Sequence, residues 1–214
     1  MLSGFSASQA QLRFPHRLPE RGAPHVLNFC QEIGPAQPIL VPIKAEPDCV
    51  PGECFENVRD KVKLAGGRIR YGWALWEWPL VFIEAEHHAV HEDATGRLCD
   101  ITPAPEGDHL RSRLFLPDES AVQHPGIRRD NIRQALTRDA QIDEFLLLFA
   151  ERGQITMRLL CNEGLRVRVS DFPRLQLIEQ RLLHLYTYLA PKYTPRGAAC
   201  YCGSGNKFKH CHGR

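Results

Sequence analysis

The sequence lacks a long apolar run, a strong charge of either sign, an internal repeat and a low-complexity segment. No run approaches the ~18 apolar residues of a membrane span, so we expect no membrane partner. The net charge of +2 is too small to indicate nucleic-acid binding by charge alone. With 43% hydrophobic and 24% charged residues, the composition is typical of a globular protein. A length of 214 residues fits one large domain, or a domain with a small appendage.

The first twenty residues also lack a basic start followed by an apolar stretch. We therefore expect no secretory signal and a cytoplasmic location. Outside the last fifteen residues, the cysteines show no paired spacing of the kind found in disulfide scaffolds. We expect these five to stay reduced: Cys30, Cys49, Cys54, Cys99 and Cys161.

The other three cysteines crowd into the end of the chain, CYCGSGNKFKHCHGR. Eight residues separate Cys200 and Cys202 from Cys211 and His212. Four soft or borderline ligands suit a tetrahedral zinc ion, and the glycines between them allow the left-handed turns needed to fold around an ion. The spacing therefore predicts a Cys3His zinc site.

This stretch resembles the SEC-C motif, the zinc-binding tail of the preprotein translocase SecA and of many otherwise unrelated bacterial proteins. The four predicted ligands match its ligand positions, and residues 207–209 match its basic and aromatic positions. Tyr201 stands where many members have proline. The resemblance implies bound Zn²⁺ and a docking role toward a protein partner, chaperone-like or ribosomal. It implies nothing about the rest of the chain.

The sequence before the tail predicts an α+β fold, with a helix packed on an antiparallel sheet and a helical second half. Residues 54–66 carry apolar side chains at helical spacing and end on two glycines, which predicts a helix. Alternating apolar residues predict strands at 38–44, 68–78, 80–92 and 97–103.

The second half shows helical periodicity with one interruption. An apolar stripe predicts helix over 128–151 with a break near Thr137, and another predicts an amphipathic helix over 172–190. Between them, 155–161 and 165–170 are typical of a β-hairpin. The predicted organisation has five parts: a loosely ordered lead-in with room for one short helix (1–37), the α+β domain (38–126), a helix-hairpin-helix segment (127–190), a tether (191–199) and the zinc motif (200–214).

Cys54 lies where a loop becomes the first predicted helix. A helix N-terminus stabilises a thiolate through unpaired N–H groups and the helix dipole. A cysteine nucleophile also needs a base and a group that orients the base. Histidines at 87, 88 and 91 and Asp100 follow on predicted strands, so the sequence predicts a possible Cys-His-Asp site. A buried, inert cysteine with ordinary strand histidines is the alternative.

The segments GECFENV, HAV and LCDITP resemble the cysteine, histidine and aspartate segments of transglutaminase-like and papain-like enzymes. Val90 and Ile101 depart from that pattern, which has tryptophan and proline there. The resemblance implies a helix packed on a sheet, with Cys54 as nucleophile, His88 as base and Asp100 as orienting group.

Strand geometry separates the three histidines, because His88 faces away from His87 and His91. If residues 94–96 form a three-residue loop with Gly96 left-handed, Val90 pairs with Asp100 and His88 shares its face. A two- or four-residue loop would place Asp100 with His87 and His91 instead. Glu86 shares the face of His88 and is an alternative orienting group.

Other interpretations remain open. The three histidines and Glu86 could form a second metal site, although side chains four residues apart on a strand are ~13 Å apart, too far for one ion without other ligands. An arginine-rich stretch could form a basic helix face, and the tryptophans are expected to serve packing or to line a cleft. These residues are Arg128, Arg129, Arg133 and Arg138, and Trp73, Trp76 and Trp78.

Two functions therefore fit the sequence. One is a cysteine hydrolase or acyltransferase that acts on an amide or thioester through an acyl-enzyme. The other is a non-catalytic adaptor carried to a partner by the zinc tail. The sequence names no substrate.

Overall fold

The computed structural model describes residues 15–104, 110–124, 129–160 and 171–214. Within these ranges the fold is α+β, with four α-helices, a short 3₁₀ turn and a six-stranded antiparallel sheet. The helices are α1 (Pro24–Ile33), α2 (Cys54–Ala65), α3 (Ala140–Leu160) and α4 (Asp171–Tyr193). The strands are β1 (Ile39–Pro42), β2 (Arg68–Trp78), β3 (Phe82–Glu92), β4 (Leu98–Cys99), β5 (Ser112–Pro117) and β6 (Ile132–Ala135).

The strands run in the order β1-β5-β2-β3-β4, and β6 pairs with β3 off this path. The long hairpin β2–β3 is the centre of the sheet, with Arg68 opposite Glu92 and Trp78 opposite Phe82. The two ends of the order meet, because the Asp100 N–H donates to the Pro42 carbonyl at 3.0 Å and the Lys44 N–H donates to the Asp100 carbonyl at 2.8 Å. The sheet is therefore curled on itself at Asp100.

One edge of β3 has two partners with a gap between them. Strand β6 pairs with residues 82–85, and β4 pairs with residues 91 and 92. Residues 86–90 have no strand partner on that edge within the described part of the chain. Helix α2 covers this region, where Val58 packs against Ala89 and Ile101.

The first-half predictions agree with the structure. The predicted helix 54–66 is α2, and the strands 38–44, 68–78 and 80–92 correspond to β1, β2 and β3. The lead-in contains one helix, α1, which packs against Trp73 and Leu75. The strand expected at 97–103 is only two residues long, because the chain leaves β3 after Cys99 to pair with β1.

The second half requires corrections. The helix predicted from residue 128 begins only at Ala140, because Ile132–Ala135 pair with the free edge of β3 as β6. The strand predicted at 155–161 is wrong over Ile155–Leu160, which continue α3. Ile155, 2% exposed, is buried in the α3–α4 core, and this packing outweighs the strand preference of the segment. The second hairpin strand, 165–170, lies outside the described residues.

Helices α3 and α4 cover the end of the sheet where β2 turns into β3. Phe145 and Leu182 pack with Trp78 and Phe82 in one core cluster. Helix α4 runs through Tyr193, three residues into the predicted tether. Among the described residues, none of the helices combines the length and apolar character that crossing a bilayer requires.

Gly72 on β2 gives a test of the packing around the curled sheet. A Cβ at this position would lie 2.2 Å from the Leu116 carbonyl oxygen and 2.7 Å from Cζ of Phe115. Because both neighbours are buried, Gly72→Ala should lower the free energy of unfolding by about 1–3 kcal/mol, measured by urea denaturation. Gly34→Ala, where a Cβ meets nothing within 4 Å, is the matched control and should change it much less. Equal stability of the two variants would contradict the packing described.

Candidate active site and candidate zinc centre

Cys54 is the first residue of α2, as the sequence predicted. No side chain caps this helix end, so no capping side chain occupies the backbone N–H groups of the first turn. Asn57, one turn later, fixes the preceding loop: it accepts from the Val50 N–H at 3.0 Å and donates to the Val50 carbonyl at 2.8 Å. The loop and the helix therefore hold Cys54 at a defined place over the sheet.

His88 lies on β3 and bonds Asp100, with 3.0 Å between Nε2 and Oδ2. The turn between β3 and β4 has the predicted three-residue loop, because the Asp93 N–H bonds the Arg97 carbonyl and Gly96 has φ +83°. The register His91–Cys99, continued by one residue, places Asp100 opposite Val90. The loop therefore has the length that the sequence argument required, and His88 is the histidine that shares the face of Asp100.

Asp100 is fully buried, and its carboxylate accepts three hydrogen bonds. Oδ2 accepts from His88 and, in a short hydrogen bond, from Nε of Arg113, while Oδ1 accepts from the Thr102 N–H at 3.0 Å. Burial raises the pKa of Asp100, but the His88 hydrogen bond and charge, with those of Arg113, lower it to about 2. Asp100 is therefore charged at neutral pH, and Arg113 balances that charge.

The ring of His88 also interacts with Cys54. Desolvation lowers the pKa of His88, but the charge of the Cys54 thiolate and hydrogen bonds with Asp100 and Cys54 raise it to about 10. Asp100 takes Nε2, so Nδ1 is the ring nitrogen left for the thiol. Asp100 and Cys54 are therefore the two groups that hold the proton on the His88 ring.

Burial alone does not distinguish Cys54 from a core cysteine. Cys54 is 6% exposed and Cys30 is 1% exposed. Burial among apolar side chains raises the pKa of Cys30 to about 11. Cys54 differs in having an imidazole partner and a helix N-terminus.

The neighbouring histidines and Glu86 form hydrogen bonds with groups other than the Cys54 thiol. His87 bonds the Ala121 carbonyl at 2.6 Å and His91 bonds the Gly66 carbonyl at 2.9 Å. Glu86 accepts from the Trp76 indole N–H at 3.0 Å rather than orienting His88. Within the described part of the chain, these histidines do not belong to a cluster of side chains that could hold a metal ion.

The predicted basic helix face is also not formed. Arg133 is a strand residue that pairs with Glu84 at 2.8 Å and lies over the Phe149 ring. Arg128 lies outside the described residues. The three tryptophans are buried and serve packing, as expected.

Sequence reasoning missed Arg113, Asn57 and Thr102. Arg113 had a usable signal, since it shares one face of the SRLFLP strand with Phe115. A charged side chain on such a face requires a buried partner. Asn57 and Thr102 are ordinary polar residues of a helix and a loop, and their mutual 3.2 Å contact follows only from the fold.

The tail brings together the four predicted zinc ligands, Cys200, Cys202, Cys211 and His212. Their ligand atoms all lie within 4.8 Å of one another. The chain reaches this shape through the positive φ angles of Gly203 and Gly205, +76° and +75°, and through hydrogen bonds that pair 198–200 with 206–208.

The spacing of the ligand atoms fits a tetrahedral ion. Nδ1 of His212 lies 3.3 Å from Sγ of Cys200 and of Cys211, and Sγ of Cys202 lies 3.6 Å from Sγ of Cys211. Zinc bonds of ~2.3 Å to sulfur and ~2.0 Å to nitrogen require ligand separations of about 3.5–3.8 Å. Four such ligands complete the coordination, as in structural zinc sites.

The tail packs against the body of the protein. Tyr201, between the first two ligands, makes an edge contact with Tyr186 of α4 at 6.3 Å between ring centroids. It belongs to the periphery of the α3–α4 core cluster, and Phe208 beneath the loop is 7% exposed. The tail that follows the predicted tether 191–199 is therefore in contact with α4.

Comparison with known families matches residues 198–214 to the SEC-C motif. The match supports the metal-binding assignment of the tail. Searches of the curated proteins and of the solved structures gave no match. The transglutaminase-like and papain-like resemblance of the first half therefore has no support from relatives.

We expect one zinc ion per chain in protein purified reduced and without chelator, measured by elemental analysis. Cys211→Ser should lower the content well below one, because a Cys3His set loses a thiolate ligand. Cys49→Ser, a half-buried thiol outside the tail, should leave it at one. Wild-type protein without stoichiometric metal would contradict the assignment.

The ring of His88 should remain protonated to about pH 10, measured by histidine NMR. Its pKa is raised above the ~6.5 of an unfolded chain. Protonation therefore stabilises the fold fully below about pH 6.5, and that stabilisation is lost as pH rises toward 10. Cys54→Ser removes the thiol whose interaction with the ring raises this pKa and should lower it, whereas Cys49→Ser should not change it. An unchanged value in Cys54→Ser would mean that the pair is not formed.

Proposed function

We propose that this protein is a cysteine hydrolase or acyltransferase that acts on an amide or thioester, with Cys54 as nucleophile, His88 as acid and base, and Asp100 as orienting group. The observation that supports it is that the His88 ring bonds a fully buried carboxylate and also interacts with the Cys54 thiol, which stands at a helix N-terminus. This is the arrangement that nucleophilic cysteine catalysis needs.

In the first half-reaction, the Cys54 thiolate attacks the carbonyl carbon and the carbonyl oxygen takes the negative charge. In this proposal, the uncapped N–H groups of the first turn of α2 stabilise that charge. The tetrahedral intermediate collapses as the bond to the leaving nitrogen or sulfur breaks. Nδ1–H of His88 gives its proton to the leaving group, and a thioester on Cys54 remains.

In the second half-reaction, His88 is neutral and acts as a base. It takes a proton from water or from an acceptor, whose oxygen or nitrogen attacks the thioester carbon. The carbon–sulfur bond breaks, and the thiolate and the imidazolium are restored. Asp100 keeps the ring oriented with Nδ1 toward the thiol throughout, because its carboxylate holds Nε2.

The zinc ion proposed for the tail has a structural role in this account. Bound by Cys200, Cys202, Cys211 and His212, it supplies crosslinks that hold the loop folded. The match to the SEC-C motif supports zinc as the metal. No catalytic step involves it, because all four coordination positions are taken by side chains.

An adaptor that docks through the tail is the second candidate. Its support is the exposed positive charge on the tail, where Lys207, Lys209, His210 and Arg214 all face solvent. Such a surface suits an acidic face on a partner protein. An adaptor needs no reactive thiol, so the reactivity of Cys54 separates the two functions.

We expect the protein to form an acyl adduct on Cys54 when incubated with aryl thioesters, detected by intact-mass spectrometry. Cys54→Ala should abolish turnover by at least about a thousandfold, because no other nucleophile stands in its place. Its melting temperature should change by no more than about 4 °C, equivalent to ~1 kcal/mol. Turnover should also fall above about pH 10, where His88 loses the proton that it gives to the leaving group.

Labelling with iodoacetamide provides the control. Cys54 should react at neutral pH ahead of Cys30, whose pKa is raised to about 11. A Cys54 that reacts no faster than Cys30, with no acyl adduct from any thioester, would end the enzyme proposal and favour the adaptor.

A further inference from the structure

Arg113 uses only part of its hydrogen-bonding capacity. Its side chain is 5% exposed, and its Nε donates to Asp100. The two terminal amino groups, Nη1 and Nη2, have no acceptor among the residues that the structure describes. Neither group is a fully buried polar atom without a hydrogen-bond partner, so both are accessible to solvent. A buried guanidinium normally has its donors satisfied.

The plane of this guanidinium is fixed by a second contact. Its carbon lies 4.9 Å from the centroid of the Trp76 ring, within cation–π range. The indole is itself held by the hydrogen bond to Glu86. Arg113 is therefore held on one side by a carboxylate and on one face by an aromatic ring, which leaves the Nη fork as its free end.

The fork lies beside the proposed catalytic site. His88 and Arg113 bond the same oxygen of Asp100, with hydrogen bonds of 3.0 and 2.5 Å, so Nε2 of His88 and Nε of Arg113 are at most about 5.5 Å apart. Asp100 accepts three hydrogen bonds, and none of them comes from the Nη groups. The acceptor for the fork must therefore come from outside this network.

We propose that Arg113 binds a carboxylate of the substrate, so that the enzyme prefers acyl compounds that carry an acidic group near the reacting carbonyl. A guanidinium fork matches the two oxygens of a carboxylate in a bidentate pair. A buried position strengthens this pairing compared with one in water. The Nη groups of Arg113 account for the preference for a carboxylate over an amide of the same shape. That this preference selects substrates rests on the function proposed above.

The binding step can be measured without any reaction at Cys54. Glutarate should shift the indole N–H signal of Trp76 in ¹H–¹⁵N NMR spectra in a saturable way, since the indole lies against the guanidinium. Glutaramide, the neutral diamide, should cause a much weaker shift. Trp76→Phe assigns the signal, and the indole signals of Trp73 and Trp78 are internal controls. Equal effects of glutarate and glutaramide, or none from either in the wild-type protein, would overturn the carboxylate site.

Alkylation then tests the link to the catalytic site. Two matched pairs of reagents differ only in charge: iodoacetate with iodoacetamide, and N-iodoacetylglycine with its amide. In the wild-type protein, at least one acid should alkylate Cys54 about tenfold faster than its amide. Arg113→Gln should remove most of this acid preference while the amides still react, and Arg113→Lys should restore part of it.

Arg70→Gln is the matched control, because Arg70 is a partly buried arginine paired with Glu92 and Glu119. It should keep the acid preference. If Arg113→Gln does not fold, protection of wild-type Cys54 from iodoacetamide by glutarate but not glutaramide replaces it as the deciding measurement. An acid preference that survives in Arg113→Gln, or an absence of protection in the wild-type protein, overturns the proposal. A Cys54 that no reagent alkylates, beside a saturable glutarate shift at Trp76, would reject the enzyme and keep the anion site.

Discussion

A carboxylate with no exposure to solvent is tolerated only if positive charge and hydrogen bonds replace the lost water. Asp100 meets this condition through one cation from β5, one ring from β3 and one backbone N–H of its own loop. Its backbone also joins the two ends of the strand order. Charge compensation and sheet closure are therefore carried by the same residue, and the positions of His88 and Arg113 follow from it.

This constraint explains the behaviour of the nearby thiol. The pair of Asp100 and Arg113 is neutral by itself, and the raised pKa of His88 comes from Cys54 as well as from Asp100. Cys54 also stands at the first residue of α2, a position that suits a reactive thiol. The other cysteines of the described chain meet different conditions. Cys30 lies among apolar side chains, and the tail cysteines face one another around a common point.

Local patterns in the sequence were enough to predict the site-bearing half of the fold. The helix at Cys54 and the long hairpin carry clear periodicity, and a single glycine at position 96 fixed the loop length that places His88 with Asp100. The zinc ligands followed from spacing alone. Each of these features depends on residues close together in the chain.

The features that were missed depend on distant pairings. Strand β6 exists because β3 offers an open edge, and the end of α3 is helical because Ile155 reaches the α3–α4 core. Arg113 belongs to the site because the curled sheet brings β5 close to Asp100, the residue after β4. The polar contacts of Asn57 and Thr102 have the same origin. Apart from a charged residue on the apolar face of β5, these nonlocal contacts have no period or motif in the sequence.

The contact between Tyr201 and Tyr186 ties the metal loop to the last helix. Because Tyr201 stands between two ligands, the conformation that holds the ion is also the one that completes the packing around α4. By mass action, an ion that binds only this folded arrangement would also stabilise the helices packed against it. With zinc bound as proposed, the stability of the α3–α4 layer would depend on the concentration of free zinc around the protein.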